Sequence, residues 1–308
     1  MSDISRQLPV IQPGTGDGSP AIFDKVAVVG LGLIGGSIAL AVRQTWPKSL
    51  VIGVDDKEVL ERAMVRHAID VAADDRVVMA EAELVILAAP ARQNIDLLED
   101  LDQYVLGSAI VTDVSSTKQE IAHRARQLPP RFTFIGGHPL AGAPRGGIEY
   151  ARPDLFLGRP WLFTPTNDDV GPALERLQQF VAALGAKPHV MTAAKHDRLL
   201  AYLSHLPQLT ASTLMHVVGE AAGQQGLSLT GRGLADTTRL ASSPPTIWRD
   251  ICSTNANEIR MALDTLIVEL ATLRDGLDDD GVLDRIFDSA AEWRDLLPKK
   301  TRDRDQHG

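Results

Sequence analysis

Residues 25–44 read KVAVVGLGLIGGSIALAVRQ: a short apolar run, a cluster of glycines, then a run long enough for a helix. Val26 to Val29 is apolar at every position, as a strand buried in a parallel sheet must be. Ile34 to Gln44 reads as a helix. Between them GLGLIG fits G-x-G-x-x-G at Gly30, Gly32 and Gly35, with Leu31, Leu33 and Ile34 filling the intervening positions. The pattern alone is weak, because glycines gather in turns by chance. A strand before it and a helix after it give it meaning. Gly30 permits a tight turn, Gly32 lets the backbone approach a pyrophosphate, and Gly35 lets the helix lie close to the strand. The helix start then offers unpaired N–H groups and a partial positive charge to an anion.

Working outward, LVIGVDD (50–56) is a second buried strand, and Asp55 at its end lies 20 residues beyond Gly35. A carboxylate there is expected to accept hydrogen bonds from the adenosine ribose hydroxyls. A 2′-phosphate would meet its charge: at ~4 Å and an effective dielectric of ~20 the repulsion is on the order of 4 kcal/mol before screening. NAD is therefore expected over NADP, although Lys57 beside Asp56 offsets part of that repulsion. AELVILAAP (82–90) is a strand stopped by Pro90, which is expected under the nicotinamide half.

The alternation continues. KEVLERAMVRHAI (57–69), RQNIDLLEDL (92–101) and QEIAHRARQL (119–128) have helical patterns; SAIVTDVSS (108–116), FTFIGGHP (132–139), PWLFTP (160–165) and KPHVMT (187–192) have strand patterns. Strand and helix in turn predict an α/β fold with a doubly wound, Rossmann-type sheet. From Ala193 onward the pattern is helical throughout, with Pro207 expected to kink a long helix. The expected layout is a flexible arm over 1–23, a dinucleotide-binding domain over 24–190, and an all-α domain over 191–300.

Composition bounds the function. A chain of 308 residues is long enough for two domains. A net charge of −9 and a pI near 5.4 argue against a nucleic-acid partner. Cys252 is the one cysteine, so no intramolecular disulfide forms and a reducing, cytoplasmic setting is expected. No run approaches the ~18 apolar residues of a membrane span, and the first residues lack the pattern of a secretory signal.

Ligands of open α/β sheets bind beyond the carboxyl ends of the strands. TDVSSTK (112–118) and GGHPLAG (136–142) follow two such ends, bringing Ser115, Ser116, Lys118 and His138 to the mouth where a nicotinamide belongs. A histidine there can take or give a proton during hydride transfer, and its flanking glycines are expected to let a ring and a cofactor approach. Ser116 also reads as an N-cap for the following helix.

Together VGLGLIGGSIALA, DVSSTK, GGHPLAG, SHLPQ and ADTTRLASSPPTIWRDI, spread over roughly residues 24–297, resemble the prephenate/arogenate dehydrogenase family of tyrosine biosynthesis. The resemblance implies oxidative decarboxylation of a small cyclohexadienyl substrate with NAD, in a homodimer. It implies that His138 takes the proton of the substrate's 4-hydroxyl, that Ser116 helps orient that hydroxyl and the histidine, that Arg239 receives a substrate carboxylate, a task suited to its planar fork, and that the helical domain over 191–300 serves substrate binding and dimerisation. Trp248 also matches. The chain departs from the family pattern at Pro144 and Arg145, where many relatives carry an acidic residue. It departs again at Gln208, which ends SHLPQ where prephenate-preferring relatives often read SHLPH; Gln208 is thus a substrate-side candidate. With the chain ending near residue 300, no appended regulatory domain is expected. A β-hydroxyacid dehydrogenase has the same layout but calls for an asparagine four residues after a lysine; Lys195 is followed there by Leu199. A non-catalytic NAD sensor would keep the glycine loop and Asp55 without needing His138 and Arg239.

Overall fold

The computed structural model describes residues 20–73, 79–143, 145–166 and 171–298. Most of the arm read over 1–23 lies outside them, as does Pro144. One eight-stranded sheet runs through β1 (Lys25–Val29), β2 (Leu50–Val54), β3 (Val71–Ala73), β4 (Leu84–Leu87), β5 (Ala109–Asp113), β6 (Phe132–Pro139), β7 (Pro160–Pro165) and β8 (Lys187–Val190), in the spatial order 3-2-1-4-5-6-7-8. All neighbours are parallel except β6 and β7. The chain direction across the sheet reverses between β1 and β4, which opens a crevice at their carboxyl ends. The edge strand β3 is only three residues, VAA, and carries no readable period in the sequence.

Both faces of the sheet are covered, and β1 shows why its sequence lacks alternation. Val26 and Val28 face one apolar cluster, with Ile38, Trp46 and Phe180; Ala27 and Val29 face the other, with Leu97, Leu101 and Phe134. The crossover helices α1 (Leu33–Thr45), α2 (Lys57–Val65), α3 (Ala91–Tyr104) and α4 (Gln119–Ala125) follow the strands in turn, and α5 (Gly171–Ala183) precedes β8. Phe180 closes one end of its layer by stacking on Trp46 at 5.4 Å.

After β8 every described element is helical: α6 (Ala193–Leu200), α7 (Leu206–Leu227), α8 (Arg232–Thr237), α9 (Pro245–Thr254), α10 (Ala256–Asp275) and α11 (Asp280–Asp295). The kink expected at Pro207 takes the form of a π-helical turn, Ala201–His205, directly ahead of α7. Pro207 has no N–H to give, and the wide turn before it relieves the clash between its ring and the preceding carbonyls. A second break falls at Gly223, with φ 60° and ψ −177°. Two compact units are formed, Met1–Ile259 and Arg260–Gly308, so α6 to α9 belong with the sheet. Among the described residues no helix is long and apolar enough to cross a membrane.

Candidate active site

The glycine loop has the geometry its sequence requires. Gly30 sits at φ +92°, and a Cβ there would come within 2.5–2.7 Å of the Ala88 and Ala89 backbone; a Cβ on Gly35 would overlap the Gly30 carbonyl oxygen. Gly32, by contrast, faces open space and is the N-cap of α1. No side chain caps α1 and no acid lies in its first turn, formed by Leu33, Ile34 and Gly35, so its N–H groups are left for an anion. The buried Leu31 gives its N–H to Asp55 Oδ2 at 2.5 Å, which ties the loop to the end of β2. Gly30, Gly32, Asp55, Asp56, Ala88, Ala89 and Pro90 line a cavity of about 750 Å³. This cradle fits a dinucleotide, and the Asp55 carboxylate lies in its wall.

Pro90 is the N-cap of α3, and the turn it closes is held by a residue the sequence did not single out. Asn94 is fully buried; its amide donates to Leu87 O, Ala89 O and Ser115 Oγ at 2.9–3.1 Å, and its Oδ1 accepts from Ala89 N. One side chain thereby joins the ends of β4 and β5.

At the ends of β5 and β6 the structure rearranges the expected roles. Lys118 was expected at the mouth; it is wholly buried, pairing with Asp113 and donating to Gly137 O at 2.7 Å. Burial lowers its pKa, and Asp113 opposes that shift. Asp113 also accepts from Ser115 N at 2.9 Å and Gly137 N at 3.1 Å. A Cβ on Gly137 would lie 2.6 Å from the Asp113 carbonyl oxygen, so this glycine serves strand packing and not the approach of a ligand. Ser116 does not cap α4. Its N-cap is Lys118, and the N–H groups of Lys118 and Gln119 are taken at 2.7 and 2.8 Å by the two carboxylate oxygens of Asp197, from α6.

His138 is half-buried near the end of β6. Its Nδ1 lies 2.9 Å from His196 Nε2, and His196 Nδ1 lies 2.8 Å from Asp197 Oδ1. His196 and Asp197 are fully buried. Burial, then the neighbouring His196, Lys118 and His205, push the His138 pKa well below its usual value, and burial also lowers that of His196. His205, in the π-helical turn, is brought down to about 4, chiefly by burial and against the pull of Asp197. Asn255 bridges this group, donating to Asp197 O at 2.9 Å and reaching His205 Nδ1 at 3.3 Å. A neutral imidazole at the mouth of the sheet is equipped to accept a proton.

His138 and Ser116 line a second cavity, of about 880 Å³, with Arg152, Arg159, His189, Ser204 and Trp248 among its walls and no Asp or Glu among the described lining residues. Trp248 stands edge-on to His205, with ring centroids 6.1 Å apart. Arg239 and Gln208 are not in these walls. Arg239 is exposed at the head of a 3-10 turn, Arg239–Ser242. Gln208 is buried and its amide is occupied: it donates to Leu240 O at 2.7 Å and Ser212 Oγ at 3.1 Å, and accepts from Ser243 Oγ at 3.1 Å. It holds the turn that carries Arg239. Lys195, of the hydroxyacid alternative, is exposed and lines neither cavity.

Comparison with known proteins agrees with this geometry. The family model for the prephenate dehydrogenase nucleotide-binding domain matches residues 38–190, and that for the prephenate dehydrogenase dimerization domain matches residues 192–288. A prephenate dehydrogenase of Bacillus subtilis (strain 168) is 34% identical over 287 residues, covering 91% of this chain and 77% of the relative. The crystal structure of Synechocystis arogenate dehydrogenase is similar, with a TM-score of 0.77 and 32% identity over 88% of this chain and 99% of that one. So is a prephenate dehydrogenase from A. aeolicus, solved in complex with hydroxyphenyl propionate and NAD+, with a TM-score of 0.82 and 25% identity over 89% and 98% of the two chains. Sheet, helical region and both family models point the same way: the chain belongs to the prephenate dehydrogenase family.

Proposed function

We propose that the chain is an NAD-dependent dehydrogenase that converts prephenate to 4-hydroxyphenylpyruvate and CO2, within tyrosine biosynthesis. The observation that carries prephenate over arogenate is the charge of the second cavity. Arg152 and Arg159 line it, Arg152 also pairing at 3.3 Å with Asp154, whose carboxylate is not in the wall, and no carboxylate lines it among the described residues. Prephenate brings two carboxylates and no cation. Arogenate brings an ammonium group that would meet guanidinium groups in a wall lined by no described carboxylate.

The cofactor is NAD, in keeping with the open face of Gly32, the free start of α1 and the carboxylate of Asp55. When bound, it supplies the acceptor for the hydride that leaves C4 of the ring. His138 accepts the 4-hydroxyl proton as carbonyl character develops at C4. The bond to the ring carboxylate breaks, its electron pair makes the ring aromatic, and the proton returns to the phenol oxygen. Ser116, which lines the same cavity, is proposed to hold the hydroxyl. Arg239 is proposed to receive a substrate carboxylate at the rim. Gln208, which fixes its turn, lies one helical turn beyond Ser204 of the cavity wall.

Residues 24–190 are proposed to hold the cofactor, and residues 191–300 to cover the substrate and form a homodimer. Ile267, Val268 and Leu270 of α10 and Phe287 and Trp293 of α11 are each more than half exposed, an apolar surface that a second copy of the chain is proposed to cover. A lone cysteine, Cys252, accords with a cytoplasmic setting.

The test is NADH production from prephenate and from arogenate, with NAD and with NADP. Turnover should be fastest with prephenate and NAD. His138→Asn should lower kcat by about 10²–10⁴-fold, the range for a lost general base, with NAD affinity nearly unchanged. Absence of turnover with both substrates would overturn the reading, and preference for arogenate would overturn the charge argument.

A further inference from the structure

The buried groups behind His138 define its protonation pattern by elimination. Asp197 Oδ1 already accepts the Lys118 N–H at 2.7 Å, and an ionised carboxylate can only accept. His196 Nδ1, 2.8 Å from the same oxygen, must therefore carry a proton and donate it. Burial keeps His196 neutral at ordinary pH, so its Nε2 is a bare acceptor. The nitrogen facing that Nε2 at 2.9 Å is His138 Nδ1, which must donate in turn. His138 is then left with an unprotonated Nε2, for which no partner is found among the described residues, on a ring that lines the substrate cavity.

We propose that His196 and Asp197 are positioning residues that fix His138 in the tautomer with Nε2 free to act as base. The inference rests on the reading of His138 as the proton acceptor. The neutral imidazole has two tautomers, and only one presents a lone pair to the cavity. The chain of bonds also handles the charge that catalysis creates. As His138 Nε2 takes the hydroxyl proton, the Nδ1 proton moves toward His196 Nε2, and the positive charge comes to rest beside Asp197. Return of the Nε2 proton to the phenol oxygen reverses both shifts, so nothing is consumed. Other charged or titratable groups face this pair: Lys118 and Asp113 from the end of β5, and His205 from the π-helical turn.

Asp197 has a second duty that fixes the geometry. Its two oxygens cap α4 at Lys118 and Gln119, and Asn255 holds its carbonyl. Asp197 is thus anchored through its carboxylate by α4 and through its backbone by Asn255, so His196 and His138 are aligned against a rigid point.

The direct test needs no substitution and no substrate. Nitrogen-15 histidine spectra of the wild-type protein near neutral pH should show His138 and His196 each protonated on Nδ1 and bare on Nε2. A wild-type His138 carrying its proton on Nε2 overturns the proposal, whatever the substrate proves to be. In the full-length His196→Phe protein, the His138 signal should become a mixture of tautomers. With prephenate and NAD its kcat should fall by about 10- to 100-fold with KM for both ligands little changed, as expected when an orienting group is lost. The acid limb of its kcat profile should move to lower pH, because His138 loses the acceptor that passes its charge toward Asp197. His196→Gln, whose amide oxygen can still accept from His138 Nδ1, should recover part of the rate. A folded His196→Phe protein with wild-type kcat and pH profile also overturns the proposal.

Discussion

The Lys118 ammonium and the Asp113 carboxylate pair with no exposure of either side chain, and Gly137, the residue before His138, bonds to both of them through its N–H and C=O. The end of β6 is thus fastened to a buried ion pair. Removing one partner of such a pair leaves a charge in a low-dielectric interior. Lys118→Met should therefore cost about 3–5 kcal/mol of stability in denaturant unfolding. A loss below about 1 kcal/mol would show that Asp113 is satisfied by its backbone donors alone.

His138, His196 and His205 make stability depend on pH, with a definite sign. His205 is lowered from its ordinary 6.5 to about 4, and His138 and His196 shift in the same direction. Below 6.5 the unfolded chain binds these protons more readily than the folded one, so stability rises with pH through this window and is lost as pH falls from 6.5 toward about 4. Thermal melts across that range should show a falling Tm. His205→Phe should flatten the slope. An unchanged slope would assign the acid sensitivity to other groups.

Asp55 should set the choice of dinucleotide. Asp55→Ser removes the charge facing the ribose but keeps a short polar side chain. It also loses the bond from Leu31 N. NAD affinity should fall, NADP use should rise, and the ratio of their kcat/KM values should narrow from both sides. A wild-type enzyme that prefers NADP would contradict this placement of Asp55.

Arg239 and Gln208 should behave as one unit. A charge-assisted bond is worth about 1.5–3 kcal/mol, so Arg239→Gln should raise KM for prephenate by roughly ten- to a hundredfold with a smaller loss in kcat. Gln208→Leu frees the Leu240 carbonyl and Ser243 hydroxyl, and should produce a milder change of the same kind. In a double-mutant cycle the two effects should fall short of additive. Full additivity would mean that Gln208 acts independently of the Arg239 turn. An unchanged KM in Arg239→Gln would leave that guanidinium as a solvent-facing group.

What the sequence by itself determined is local. The alternation of strand and helix announced the doubly wound sheet. Gly30, Gly32 and Gly35 announced the tight turn and the close approach of α1, and Asp55 followed at the end of the next strand. His138 could be placed at the sheet mouth because it stands at the carboxyl end of an apolar strand. Each of these is written in contiguous residues, since periodicity, turns and strand ends depend on near neighbours along the chain. The partners of those residues were not legible. His138 meets His196 across 58 positions, and Lys118 meets Asp197 across 79. Only the tertiary structure buried Lys118 and gave the capping of α4 to Asp197 instead of Ser116. It also spent the Gln208 amide on the Arg239 turn, and brought Arg152 and Arg159 into a cavity wall that no carboxylate lines among the described residues. Whether a polar side chain is buried, and what satisfies it, depends on which distant element is packed against it. No pattern of spacing within one segment encodes that.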